Sequence, residues 1–167
     1  MMFKKIKKNN AGYSLVETIF YVALFAILSV ALLEVMITMT GSFMQTIINR
    51  NLMQGSVVIE NMSRELKQAN NFSFASNVLT VNTKDSSGNP KTVIFTFANS
   101  NISVQDSVLG NLGNLNPSNV SINYFSVSSI TTLKGKAARI SLRVHSNNDS
   151  TDRTEDFYNT VVLRGDY

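Results

Sequence analysis

The chain begins with a polar, basic segment that is followed by a long apolar run. Residues 1–12 carry four lysines and no acid, whereas residues 13–39 contain only two charged side chains, Glu17 and Glu34. At about 1.5 Å of rise per residue, a helix over residues 13–34 spans roughly 32 Å, which is close to the hydrocarbon thickness of a bilayer. The pattern therefore predicts a membrane-spanning helix directly after a basic segment.

The helical pattern continues beyond this run. Apolar residues recur at spacings near three, four and seven, at Met44, Ile48, Leu52, Ile59, Met62 and Leu66. We therefore predict one continuous helix from Ser14 to Gln68, whose part after Gly41 is amphipathic and needs a surface to pack on. Gly41 and Gly55 are weak points of this helix, because an internal glycine costs about 1 kcal/mol relative to alanine.

After residue 70 the apolar period changes to two. Six short segments rich in Val, Ile, Thr, Phe and Tyr predict strands at residues 78–83, 91–98, 101–105, 120–128, 138–145 and 157–164. "KDSSGNPK" predicts a tight turn, "NNDSTDRTED" a polar loop and "LGNLGNLNPSN" a longer irregular connection. In residues 138–145 apolar and polar side chains alternate, so one face of that strand should meet a core. The expected fold class is α+β, a long amino-terminal helix whose second half packs on an antiparallel β-sheet.

These patterns divide the chain into a leader at residues 1–12, a membrane half of the helix at 13–39, an amphipathic half at 40–70 and a β-rich domain at 71–167. The net charge of +4 comes from 15 basic and 11 acidic side chains, and the four leader lysines account for all of the excess. By the positive-inside rule, we expect a cytoplasmic amino terminus, with the β-rich domain on the other side of the membrane.

The chain offers little for catalysis. It has no cysteine and a single histidine, His145, which falls on the polar face of a predicted strand. The absence of cysteine excludes disulfides and thiolate metal sites. A single histidine on a polar strand face does not supply the residues of a histidine-dependent catalytic triad or a zinc site. Because no set of nucleophile, base and orienting group stands out, we expect a protein that is not an enzyme and that needs no cofactor.

The residues Gly12 to Glu17, "GYSLVE", resemble the processing site of type IV pilins and type II secretion pseudopilins. The motif follows a short basic leader and precedes an apolar run, as that family requires. The resemblance implies that a prepilin peptidase cuts between Gly12 and Tyr13, that the new amino group of Tyr13 is methylated, and that Leu15 and Glu17 serve in recognition and assembly. It also implies that the apolar helix enters a filament core, with the membrane-helix residues Ile19, Phe20, Leu24, Phe25, Ile27 and Leu28.

Longer segments, "YSLVETIFYVALFAIL", "LMQGSVVIENMSRELKQA" and the tail "TEDFYNTVVLRGDY", are similar to J-type minor pseudopilins and related minor pilins. The resemblance implies a single-pass inner-membrane subunit that later joins the tip or initiating complex of a pilus or pseudopilus. The implied partners are other pilin or pseudopilin subunits, the prepilin peptidase, the inner-membrane assembly platform and membrane lipid. The chain departs from many pilins at Glu34, where they have a helix-kinking proline.

An acid at position 17 has a physical cost. A carboxylate within lipid is unfavourable by about 2 to 3 kcal/mol at mid-depth, and by less near the edge, unless a cation is near. After cleavage, the amine of Tyr13 lies about 6 Å of helix rise from Glu17, so a neighbouring subunit can supply that cation. An alternative is a plain signal anchor in which Ser14 and Glu17 form a capping box at the helix start.

Two further hypotheses concern the β-rich domain. Its polar loop, with Asp149, Asp152 and Asp156, is either a solvated turn or a calcium site, although it lacks an EF-hand pattern. A local excess of cations, Lys134, Lys136, Arg139 and Arg143, would favour a DNA-uptake or adhesive minor pilin that binds nucleic acid or another ligand. Alternating strand residues commonly face water, which is the simpler interpretation of this excess.

Overall fold

The computed structural model describes residues 14–132 and 135–164 of the chain. It is α+β, with two helices followed by eight antiparallel strands. The chain forms two compact units that divide between Met44 and Gln45. The first contains the apolar part of the amino-terminal helix, and the second contains the rest of the helical segment and all the strands.

Helix α1 spans Leu15–Leu52 and helix α2 spans Gln54–Gln68. The predicted helical segment from Ser14 to Gln68 is confirmed, with one interruption at Met53, which lies in a turn two residues before the predicted weak point Gly55. Here the Ser56 amide donates to the carbonyl of Met53 at 3.1 Å, a contact three residues apart, and the Ser56 hydroxyl donates to the same carbonyl at 2.8 Å. A side-chain hydroxyl that competes for backbone carbonyls tightens the helix locally.

The strands form two antiparallel sheets rather than the one that we expected. The first sheet has the order β1 (Asn71–Ala75), β2 (Val78–Lys84), β3 (Pro90–Ala98), β4 (Asn101–Asp106) and β5 (Gly110–Asn114). The second has the order β6 (Val120–Thr132), β7 (Gly135–Ser146) and β8 (Thr154–Val162). The predicted turn between β2 and β3 is confirmed, since the carboxylate of Asp85 accepts the amides of Ser87 and Asn89 at 2.8 Å.

Strands β1 and β5 lie outside the six predicted segments. Strand β5 falls in the glycine- and asparagine-rich connection, and all five of its residues are exposed. It has no core-facing alternation that a sequence pattern could reveal, because it forms by pairing with the edge of β4. The alternation in β7 is confirmed, with the apolar positions from Ala138 to Val144 buried and the polar positions between them exposed or half-buried.

The core of the second unit lies between α2 and the inner faces of the two sheets. Its largest fully buried side chains are Phe95, Met62, Leu66, Leu79, Ile102, Ile122, Ile140 and Leu142. Phe125 of β6 meets Phe74 and Phe97 of the first sheet edge to face, with ring centroids 5.4 and 6.2 Å apart. Helix α2 comes so close to β7 and β8 that a Cβ added to Gly55 would lie 2.5 Å from Phe157 and 2.7 Å from Val144.

Candidate functional site

The described part of the first unit is an apolar helix whose side chains are almost all exposed. Among the described residues, one helical segment, Leu15–Gln68, contains a stretch long and apolar enough to cross a membrane, and none of that stretch is buried in the protein. The predicted membrane-helix residues Ile19, Phe20, Leu24, Phe25, Ile27 and Leu28 are all exposed on it. The chain is thus compatible with a single-pass membrane protein.

The first turn of this helix is capped by Ser14. The Glu17 amide donates to the Ser14 hydroxyl oxygen at 3.3 Å, and the Thr18 amide donates to the Ser14 carbonyl at 3.1 Å. This is the serine half of a capping box. The glutamate half of the capping box is replaced by a different contact. The Glu17 carboxylate accepts a hydrogen bond from the hydroxyl of Tyr21, one turn along the helix, at 3.4 Å.

Glu17 is half-buried, whereas Leu15, two residues before it, is 78% exposed. No lysine, arginine or histidine among residues 14–132 and 135–164 forms an ion pair with its carboxylate. At 3.4 Å, the contact with Tyr21 is longer than a good hydroxyl hydrogen bond. The carboxylate therefore keeps capacity for a stronger partner. Gly12 and Tyr13, the predicted cleavage site, lie outside the described residues.

The three carboxylates of the candidate calcium loop have separate partners. Asp149 is buried and accepts the amide and hydroxyl of Thr151 at 3.0 and 2.7 Å and the guanidinium of Arg153 at 2.8 Å. The Thr151 hydrogen bonds, with help from Arg153, hold the pKa of Asp149 well below its usual range. The loop is therefore held together by hydrogen bonds among its own residues.

The other two carboxylates of the candidate calcium loop, those of Asp156 and Asp152, lie near side chains of β7. Asp156 forms a two-pronged ion pair with Arg143, at 2.7 and 3.0 Å, and this hydrogen bonding lowers the pKa of Asp156. The carboxylate oxygen of Asp152 lies 3.8 Å from Nε2 of His145. In the described part of the chain, no three acidic or histidine side chains are grouped as a metal site requires.

The described cations of the predicted basic cluster each have a different partner. Arg143 is neutralised by Asp156, Arg139 stacks over the ring of Tyr158 at 5.7 Å, and the ammonium of Lys136 contacts the side-chain oxygen of Asn71 at 3.3 Å. Lys134 lies outside the described residues. Neutralisation of Arg143 removes one of the cations that an electrostatic nucleic-acid surface would need.

Asn51 and Asp106 are two of the buried polar residues that the sequence analysis did not identify. Asn51 on the last turn of α1 donates to the Ser146 hydroxyl at 3.1 Å and accepts the side-chain amide of Asn119 at 2.6 Å. Asp106 at the end of β4 is buried and pairs with Lys91 of β3. The only local signal for the second was "DSVLG", in which an aspartate before a glycine is typical of a turn.

Comparisons with protein-family models, with curated proteins and with solved structures returned no match to this chain.

Proposed function

We propose that this chain is a minor pilin or pseudopilin subunit, most similar to the J-type. Four features support the proposal together: the basic leader, the "GYSLVE" motif, the apolar helix that follows it, and an α+β fold with a long amino-terminal helix on antiparallel sheets. The observation that carries it is Glu17, a half-buried carboxylate without an ion-pair partner among the described residues, at the start of an exposed apolar helix.

In this proposal the work of the chain is mechanical. A prepilin peptidase removes residues 1–12 and leaves a positive amino group on Tyr13, which is then methylated. The subunit waits in the inner membrane until the assembly platform moves it into a filament, at the tip or in the initiating complex. A carboxylate in lipid gains most from a nearby cation, so Glu17 favours docking beside the amine of a neighbouring subunit in one register.

The cleavage step is tested by the intact mass of the protein extracted from membranes. We expect the loss of residues 1–12 and the gain of one methyl group on Tyr13 when an active prepilin peptidase is present. A chain that keeps all twelve leader residues under those conditions would contradict the proposal.

The assembly step is tested by a Glu17→Gln variant, with Glu34→Gln as the matched control. Both variants remove one negative charge from the same helix, but only Glu17 lies within reach of a neighbouring amine in the proposed docking. We expect Glu17→Gln to be processed yet poorly incorporated into filaments, and Glu34→Gln to be incorporated normally. Equal incorporation of the two variants would refute the assigned role of Glu17.

A further inference from the structure

Four exposed cations lie together at one end of the second unit. They belong to the last turn of α2, the end of β2, the start of β7 and the segment after β8, and they are Lys67, Lys84, Lys136 and Arg164. None of the four forms an ion pair with a described residue. We call this surface the basic row. Its members are far apart in the chain, so no single segment of the sequence reveals it.

Backbone hydrogen bonds place three of these cations side by side. The Arg164 amide donates to the carbonyl of Lys67 at 3.0 Å, which joins the segment after β8 to the last turn of α2. The preceding amide, of Leu163, donates to the carbonyl of Lys136 at 3.0 Å, which joins the same segment to β7. Arg164 therefore lies between Lys67 and Lys136.

The fourth cation, Lys84, reaches the same place from the first sheet. The hydroxyl of Thr83, the residue before it, donates to the carbonyl of Gln68 at the end of α2, at 3.0 Å. The ammonium of Lys136 donates to the side-chain oxygen of Asn71, on the strand that pairs with β2, at 3.3 Å. The basic row thus extends from the second sheet, across the end of α2, to the first sheet.

The described acids close to the basic row in sequence have other contacts. Asp85, which follows the last residue of β2, accepts two amides of its own turn at 2.8 Å. Glu65 is half-buried and lines a small cavity with Asp106, on the side of α2 that faces β3 and β4. Two more charged residues, Lys134 and Asp166, lie outside the described residues and are of opposite sign. The described part of the basic row therefore has an excess of positive charge.

Stabilisation of the α2 dipole does not explain the whole row. A cation in the last turn of a helix interacts favourably with the helix dipole, which is a sufficient reason for Lys67. The effect is confined to the last turn of the helix, whereas Lys84 and Lys136 belong to strands. Like charges that lie side by side repel one another, and a bound anionic partner removes this repulsion.

The width of the basic row determines which anion fits it. Residues joined by a backbone hydrogen bond lie about 5 Å apart between Cα atoms, so three such steps spread the four cations over roughly 15 Å. One phosphate or carboxylate ion is too small to contact all four, whereas a polymer with repeated charges can do so. Duplex DNA carries one negative charge per about 1.7 Å of its axis, and an extended acidic polypeptide carries at most one per about 3.4 Å. DNA therefore releases more counterions on the same surface.

We propose that the basic row binds the phosphate backbone of duplex DNA. Lysine and arginine contacts to phosphate carry no information about base sequence, so the binding is independent of sequence. The released counterions supply most of the binding free energy. This inference goes beyond the proposed function and does not rest on it, because leader cleavage and filament entry need no nucleic acid. Loss of DNA binding and loss of processing are therefore separate results.

The first test measures DNA binding and its dependence on salt. The full chain in nonionic detergent, with the four lysines of residues 1–12 replaced by glutamine, is titrated into a fluorescein-labelled duplex while anisotropy is recorded. Four phosphate contacts predict a slope of about −3.6 for the logarithm of the binding constant against the logarithm of the KCl concentration. Binding should thus weaken about a hundredfold between about 50 and 200 mM KCl. Absence of binding at the lower concentration, or a slope near zero, would overturn the proposal.

The second test locates the contacts, with Arg164→Gln compared with Arg50→Gln as its matched control. Both arginines are exposed, but Arg50 lies in the last turn of α1, before α2 begins. The backbone hydrogen bond of Arg164 does not involve its side chain, so the variant keeps the junction with α2. We expect Arg164→Gln to make the slope shallower by about 1 and Arg50→Gln to leave it unchanged.

Lys84→Gln repeats this test on the first sheet, away from the contact between α2 and the segment after β8. It should also make the slope shallower by about 1. If Arg164→Gln and Lys84→Gln both give the slope of Arg50→Gln, the basic row is not the binding surface.

The third test distinguishes DNA from an acidic protein as the partner. Unlabelled duplexes of two different sequences should compete equally with the labelled duplex. Polyglutamate at the same total charge should compete at least about tenfold less well, because its charges are farther apart. Equal competition by polyglutamate would assign the basic row to an acidic polypeptide and overturn the proposal.

Discussion

The ammonium of Lys91 lies 2.7 Å from the carboxylate of Asp106, whose side chain is only 3% exposed. The same carboxylate accepts the amides of Val108 at 2.8 Å and Leu109 at 3.3 Å. One acidic side chain thus joins β3 to the end of β4 and orders the turn that leads into β5. Burial raises the pKa of Asp106, but the hydrogen bonds from Lys91 and from the two amides outweigh it, and the net pKa is lowered.

We predict that Asp106→Asn lowers the free energy of unfolding of the second unit by about 3 kcal/mol, because it leaves the Lys91 charge next to a buried neutral group. Urea unfolding in detergent, followed by tyrosine fluorescence, measures this change. Glu60→Gln, an exposed carboxylate on α2, is the control and should change stability by no more than about 0.5 kcal/mol. Similar losses in the two variants would show that the buried pair is not the cause.

The stability of the second unit should depend on pH in the acid range. The folded-state pKa of Asp106 lies below its usual value of 3.8, so the unfolded chain takes up the proton first as the pH falls. The contribution of Asp106 is therefore fully present above its unfolded-state pKa and is lost as the pH falls through the lower folded-state value. We expect the stability difference between wild type and Asp106→Asn to be constant near neutral pH and to shrink below about pH 4. A difference that stays constant down to about pH 2 would contradict this assignment.

We predict that Gly55→Ala destabilises the second unit, although alanine is the better helix former. The added methyl would meet the Phe157 ring at 2.5 Å, so α2 must shift away from β8. Overpacking of this kind costs about 1 to 3 kcal/mol, and the helix propensity of alanine returns about 1 kcal/mol of it. Gly41→Ala is the matched control, since no atom lies within 4 Å of a Cβ at that position. A gain in thermal stability for Gly55→Ala would show that the helix moves without cost.

The loop around Asp149 should be stabilised by its own hydrogen bonds rather than by calcium. We expect Asp149→Ala to lower the melting temperature of the second unit, because the Thr151 and Arg153 donors lose their buried acceptor. The loss should be the same with millimolar calcium and with a chelator. A wild-type melting temperature that rises with calcium while that of Asp149→Ala does not would instead support the calcium hypothesis.

The apolar and polar patterns were enough to predict most of the elements. The run after Ser14 and the later spacing of apolar residues identified the helical segment, and alternation identified six of the eight strands. Helix and strand periods are local properties, so the alternation of apolar and polar residues in a core-facing strand such as β7 shows which of its faces is buried. The capping role of Ser14 was also predictable, because its motif spans a single turn.

The amino-acid sequence alone thus determined a basic amino-terminal segment, an apolar helix with one acid near its start, and the α+β class. Only the tertiary structure decided that the strands form two sheets, that β5 exists and that Asp106 meets Lys91. Each of these results depends on which distant segments become neighbours, since a strand edge or an ion pair exists only between elements that pack together. Residues far apart in the chain carry no local sequence pattern that reveals such a contact. The contact becomes visible only in the folded structure.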